Sequence, residues 1–89
     1  MRAVITVLGK DTVGILAKVS TECAAAGANI IEVTQSILQD MFAMIMFVDI
    51  SHCNIPFGEL SDKLIGIGEE MGLKVHVMHE DLFNAMHRI

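Results

Sequence analysis

The feature that most restricts the fold of this chain is an uninterrupted apolar run in its middle. Residues 41–48 read Met-Phe-Ala-Met-Ile-Met-Phe-Val, and Asp49 is the first charged residue after them. Side chains of a β-strand point alternately to opposite faces, so a strand over residues 41–50 is apolar on both faces until Asp49. One layer of helices covers only one face. We therefore expect the other face to be covered by the C-terminal residues, by another subunit, or by both.

The chain before this run predicts a strand followed by an amphipathic helix. Residues 3–8 are rich in β-branched side chains and end at Gly9, which is typical of a short strand. Gly27 supplies a C-terminal signal for the helix. The apolar residues of that helix recur at three- and four-residue steps, and they are Ile15, Leu16, Val19, Cys23 and Ala26.

A second strand over residues 29–38 leads into the apolar run through a tight hairpin at residues 39–40. Val33 and Ile37 share one face of this strand with Gln35, and the polar residues between them take the other face. Two adjacent isoleucines near its start leave the register there open.

The chain after the run predicts a second helix, a fourth strand and a short C-terminal helix. Pro56 suits the first turn of the second helix. Gly66 and Gly68 either allow close packing of this helix or leave it soft. Its apolar face contains Phe57, Leu60, Leu64, Ile67 and Met71. In the fourth strand, the core-facing residues are Leu73, Val75 and Val77. In the tail, the residues at helical spacing are Leu82, Phe83, Met86 and Ile89.

Two strand–helix–strand units joined by a hairpin predict an α+β, ferredoxin-like βαββαβ fold for the single domain 1–89. Its antiparallel four-stranded sheet carries both helices on one face, and right-handed crossovers are expected to place the two long strands in the middle. A chain of 89 residues has a marginal core, yet 53% of it is apolar. We therefore expect a homo-oligomer, most simply a dimer, that buries the excess.

Charge and hydropathy exclude several partners. The net charge of −5 argues against binding the phosphate backbone of nucleic acid. No apolar run approaches the roughly 18 residues of a membrane span, and the N-terminus enters a strand without a signal peptide. The composition predicts a cytoplasmic domain that binds neither nucleic acid nor membrane.

The turn between the first strand and the first helix is the best candidate for a ligand site. It reads Gly9-Lys10-Asp11-Thr12-Val13-Gly14-Ile15-Leu16. Free N–H groups at a helix N-terminus attract carboxylate or phosphate, and Gly14 permits a close approach or a positive φ. The alternative is that Asp11 or Thr12 caps the helix and Gly14 only eases packing.

Catalytic and metal chemistry find little support in the sequence, so we expect no enzyme and no cofactor. No serine, histidine and acid are placed where a triad can be argued. His52 and Cys53 are adjacent and point in different directions, and Cys23 is a small core residue on the helix face. His76 and His79 differ in strand parity, which argues against joint ligation, and His87 lies in the tail.

Other functions of this fold need residues that the chain lacks. A heavy-metal carrier would need a cysteine pair in the first loop, and an acylphosphatase would need an arginine where only Lys10 is available. An RNA-recognition domain would need exposed aromatic and basic residues on its central strands, which here carry only Phe42 and Phe47 in an acidic setting.

The chain resembles the ACT domain family over its whole length. The resemblance rests on residues 4–7 leading into the 9–16 loop, and on Gly27-Ala28-Asn29-Ile30 at the second strand. The opening residues, Gly9-Lys10-Asp11 and the ending Phe83-Asn84-Ala85-Met86-His87-Arg88-Ile89 are similar to the small stand-alone UPF0237 group. The resemblance implies dimers that bind amino acids or other small effectors at an interface. The ligand-binding residues it implies are Asp11, Gly14, Ile15, Leu16, Asn29 and Ile30.

These inferences predict a non-catalytic, homo-oligomeric regulatory module that senses a small molecule, most simply a free amino acid, and acts on a regulated protein partner. Two alternatives stay open. The first is a protein-interaction or oligomerisation module whose loop binds nothing, and the second is a metal-binding domain that uses the histidines. Stabilisation by amino acids or by metal ions would separate the three.

Overall fold

Two strand–helix–strand units form the fold in the computed structural model, which describes residues 1–10, 14–38 and 40–81. The elements follow the predicted order. They are β1 (Arg2–Gly9), α1 (Ile15–Ala26), β2 (Asn29–Leu38), β3 (Met41–Asp49), α2 (Phe57–Glu70) and β4 (Lys74–His79). Within the described residues, no helix is both long and apolar enough to cross a bilayer.

The sheet has the strand order β2-β3-β1-β4, and every neighbouring pair is antiparallel. The prediction that the two long strands occupy the middle is correct for β3 and wrong for β2, which lies at an edge although it has 10 residues. The physical reason is that the two strands of each strand–helix–strand unit are not neighbours in the sheet. The crossover through α1 sets β2 parallel to β1 at a distance of one strand, and β3 fills the gap.

The helix-covered face of the sheet forms the core. Alternate residues of β1 and β3 are fully buried there, and α1 contributes Val19 and Cys23 while α2 contributes Leu60 and Leu64. The buried residues of β1 and β3 on this face are Ala3, Ile5, Val7, Met44, Met46 and Val48. The strand periodicity of the sequence is therefore confirmed.

The register of β2 agrees with its predicted faces. Val33 pairs with Met46 and Ile37 pairs with Phe42, so both lie on the helix side. The open register at the strand's start has a structural cause, because the pairing shifts between Ile30 and Glu32. One extra residue at this bulge breaks the two-residue alternation. Gln39 in the predicted hairpin lies outside the described residues.

The opposite face of the sheet is also apolar at its centre. Val4 of β1 is fully buried there, and it pairs with Phe47 and Met78, which are both half-buried. Residues 82–89 lie outside the described residues, so the C-terminal helix and the covering of this face by the tail or by another subunit stay predictions.

Two details of the helices differ from the sequence-based expectation. Leu16 was expected on the core face of α1, but it is 38% exposed. The buried residues of α1 are Ile15, Val19, Cys23 and Ala26, and a residue directly after Ile15 is turned about 100° away from this stripe. Pro56 occupies the N-cap of α2 rather than its first turn, with an extended backbone at ψ 150°.

Candidate functional site

The N-terminus of α1 carries backbone donors that are not used within the helix. Gly14 is the N-cap residue, and its φ of 81° confirms that the turn uses the left-handed conformation. The first helical bond runs from the Lys18 N–H to the Gly14 carbonyl at 3.0 Å. The N–H groups of Ile15, Leu16 and Ala17 therefore have no acceptor within the helix.

The surroundings of these donors suit an anion. The first turn of α1 contains no acidic side chain, so the positive end of the helix dipole is not neutralised from within the helix. Gly14 is exposed, and a Cβ built on it would meet no atom of the described residues within 4 Å. The N-cap position itself is Gly14. Asp11 and Thr12 lie outside the described residues, so the alternative of a helix cap by either side chain stays open.

Asn29 and Ile30 lie at the opposite end of α1 from Gly14. Asn29 begins β2 beside Asp49 and is exposed, whereas Ile30 is half-buried against the core. The 12 residues of α1 span roughly 18 Å at about 1.5 Å per residue. One chain therefore does not bring the helix N-terminus and Asn29 together around a ligand of amino-acid size.

The cysteines lie around the C-terminal end of α1. Burial is the main reason that the pKa of the Cys23 thiol is raised to about 11, with smaller contributions from Cys53 and Glu22. Burial and then Asp49 raise the pKa of Cys53. Raised thiol pKa values leave little thiolate at neutral pH, which makes poor nucleophiles and metal ligands. The interpretation of Cys23 as a core residue is confirmed, because it is fully buried.

The histidines of β4 point to opposite faces of the sheet, as their parity predicted. His76 is exposed and pairs with Thr6, whereas His79 stacks on Phe57 with ring centroids 4.2 Å apart. Among the described residues, no three His, Cys, Asp or Glu side chains converge on a metal position. His87 lies outside them.

Two surface features were not identified from the sequence. Edge strand β2 carries Ile31 and Ile37, which are 47% and 72% exposed. A cavity of about 520 Å³ lies where the end of β1, the start of β3 and the turn after α2 meet. Its lining comes from three separate segments, so no local motif could have revealed it. The exposure of Ile37 depends on the edge position of β2, which the sequence analysis assigned wrongly.

The four-stranded antiparallel sheet and its two helices define a ferredoxin-like domain, and comparison with known proteins specifies the family. An ACT domain family model matches residues 2–78. A UPF0237 protein of Listeria innocua is 47% identical over 89 residues, with all of both chains covered. An ACT domain protein from Streptococcus pneumoniae is 34% identical with a TM-score of 0.79, and 98% of each chain is covered.

A more distant structure shares the fold alone. The regulatory subunit of aspartate kinase from Thermus thermophilus is 23% identical with a TM-score of 0.64, over 85% of this chain and 49% of that one. The family match spans nearly all the described elements. The chain belongs to the ACT domain family.

Proposed function

We propose that this chain is a non-catalytic regulatory module that binds a free amino acid between two copies of itself. The observation that carries the proposal is the N-terminus of α1, where the N–H groups of Ile15, Leu16 and Ala17 have no acceptor within the helix and no first-turn acid competes. The ligand carboxylate would accept from the N–H groups of Ile15 and Leu16. Membership of a family that includes regulatory domains supports the same assignment.

The ammonium group of the ligand needs an acceptor, and the side-chain oxygen of Asn29 can supply it from a second copy. Within one chain, roughly 18 Å of helix separates Asn29 from Gly14. If the β2 strands of two copies pair antiparallel, the start of each β2 meets the end of its partner's β2. That is the end of the sheet where the partner's α1 begins. Asp11 is the other candidate acceptor.

Edge strand β2 suits such pairing. It has 10 residues and lies at the edge of the sheet, so one side of its backbone has no strand partner among the residues that the structure describes. Ile31 and Ile37 are exposed along it. Burial of two isoleucines per copy would contribute at most about 1–2 kcal/mol each before ordering costs, because both are already partly buried. The dimer and the ligand site thus use the same surface.

Calorimetric titration of the free amino acids against the intact chain tests the proposal. Gly14→Asp and Gly14→Asn form a matched pair, because both side chains tolerate positive φ and they differ mainly in charge. Gly14→Asn should retain binding, whereas Gly14→Asp should weaken it about tenfold or more by repelling the carboxylate. Asn29→Ala should weaken binding by about 0.5–1.5 kcal/mol, and more if the bond is charge-assisted.

Mixing the two impaired variants tests whether the site spans two copies. A mixed dimer of Gly14→Asp and Asn29→Ala chains has one site with both changes and one site with neither. After equal amounts exchange subunits at random, half of the dimers are mixed, so sites with wild-type affinity should reappear at about a quarter of the wild-type capacity. Absence of binding by any amino acid would favour the alternative of an oligomerisation module without a ligand. Equal binding by Gly14→Asp and Gly14→Asn would exclude the helix end as the site.

A further inference from the structure

The cavity of about 520 Å³ lies at the end of the sheet where β1 ends and β4 begins. Its lining combines apolar side chains with two lysines, and it consists of Leu8, Gly9, Lys10, Met41, Met71, Gly72 and Lys74. All of these residues belong to one chain. The cavity volume falls within the roughly 300–1,000 Å³ of small-molecule sites.

The two lysines are available to a ligand. Lys10 Nζ lies 3.7 Å from Asp40 Oδ2, and both side chains are about three-quarters exposed, so this pair is loose. Lys74 has no ion pair within the part of the chain that the structure describes. The sequence contains only six Lys and Arg residues, compared with eleven Asp and Glu residues. Two lysines at one cavity are therefore a local concentration of positive charge in an acidic protein.

The C-terminus of α2 is the competing explanation for the lysines, because the negative end of a helix attracts cations. The turn that follows the helix already binds its last carbonyl groups. Leu73 N–H donates to the Gly68 carbonyl at 2.8 Å, and Gly72 N–H donates to the Glu69 carbonyl at 3.2 Å. These bonds reduce the free acceptor capacity of the helix end. The helix end therefore competes less for the two ammonium groups, which leaves them available to bind a ligand.

The apolar residues of the lining favour a ligand that carries a hydrocarbon group. Met41 is 43% exposed at the start of β3, and Leu8 and Met71 are half-buried beside the cavity. Methionine side chains adapt their shape to different apolar ligands.

We infer that this cavity is a second ligand site, which binds a small carboxylate with an apolar tail. The carboxylate interacts with Lys10 and Lys74, and the tail packs on Leu8, Met41 and Met71. The site needs no second copy and does not use the N-terminus of α1. It therefore goes beyond the proposed function and does not depend on it.

An NMR titration of the intact chain with octanoate tests this inference, with 1-octanol and acetate as probes that lack the charge and the tail. Octanoate should shift the amide signals of Leu8, Gly9, Gly72 and Lys74, and the other two probes should bind about tenfold more weakly or not at all. Lys74→Gln should weaken octanoate binding about fivefold. Asp40→Asn should strengthen it about twofold, because a competing carboxylate is removed.

Two control variants give this experiment its specificity. Lys63→Gln removes an exposed lysine of α2 that does not line the cavity, and it should leave octanoate binding unchanged. Lys18→Gln removes an exposed lysine of α1 that does not line the cavity either, and it should also leave octanoate binding unchanged. Equal losses in Lys74→Gln and Lys63→Gln, equal binding of 1-octanol, or signal shifts confined to other residues would each overturn the inference.

Discussion

Gly66 and Gly68 lie two residues apart in α2, yet they should respond to alanine with opposite changes in stability. A Cβ at Gly68 would lie 2.3 Å from Val75 Cγ2 and 3.3 Å from the Leu73 carbonyl oxygen. Within the described part of the chain, a Cβ at Gly66 would meet no atom closer than 4 Å outside its own helix. Gly68 thus allows α2 to pack closely on β4, whereas Gly66 lowers helix propensity without a packing benefit.

The magnitudes follow from these two environments. Alanine is favoured over glycine in a helix interior by about 1 kcal/mol, so Gly66→Ala should raise the free energy of unfolding by about 0.5–1 kcal/mol. Gly68→Ala gains the same propensity but overpacks the contact with Val75, at a cost of about 1–3 kcal/mol. The difference between the two variants therefore measures the overpacking cost with the propensity contribution removed.

Urea unfolding followed by circular dichroism, at one fixed chain concentration, provides the measurement. A third variant, Gly68→Ala with Val75→Ala, removes the clashing methyl groups. Its total destabilisation should be smaller than the sum of the two single changes. A Gly68→Ala variant as stable as Gly66→Ala would refute the role of Gly68 in helix–sheet packing.

Two further predictions concern the ends of the core. Gly9→Ala should lower the free energy of unfolding by about 1–3 kcal/mol, because its Cβ would lie 1.9 Å from Leu73 Cδ2. A double-mutant cycle with Leu73→Ala checks this, and additive effects would contradict it. The pKa of the Cys23 thiol is raised from 9.0 to about 11, so the folded state favours the neutral thiol. The contribution of this neutral thiol to the free energy of unfolding is complete below pH 9 and is lost as the pH rises towards 11. Unfolding free energies across this range should fall less steeply in Cys23→Ala, and parallel curves would argue against it.

The sequence predicted the fold where local patterns were sufficient. The alternation in β2 and the apolar stripe of α1 gave the correct faces for Val33, Ile37 and Cys23. The role of Gly68 could not be decided from the sequence, because it depends on a contact with β4. The edge position of β2 was missed because strand length says nothing about strand order. The order depends instead on how the helix of each strand–helix–strand unit connects its two strands.

The candidate amino-acid site was harder to predict from the sequence. Family resemblance selected its residues, but these residues do not lie close together within one chain. Gly14 and Asn29 lie at opposite ends of a 12-residue helix, so one ligand can bind both only across two copies. This geometry couples assembly to binding. A ligand that needs both copies must tighten the dimer by the same factor by which the dimer tightens the ligand. Sedimentation with and without a bound amino acid should therefore give a lower dissociation constant for the dimer in its presence. If the ligand binds but leaves that constant unchanged, the site is contained within a single chain and Asn29 is not part of it.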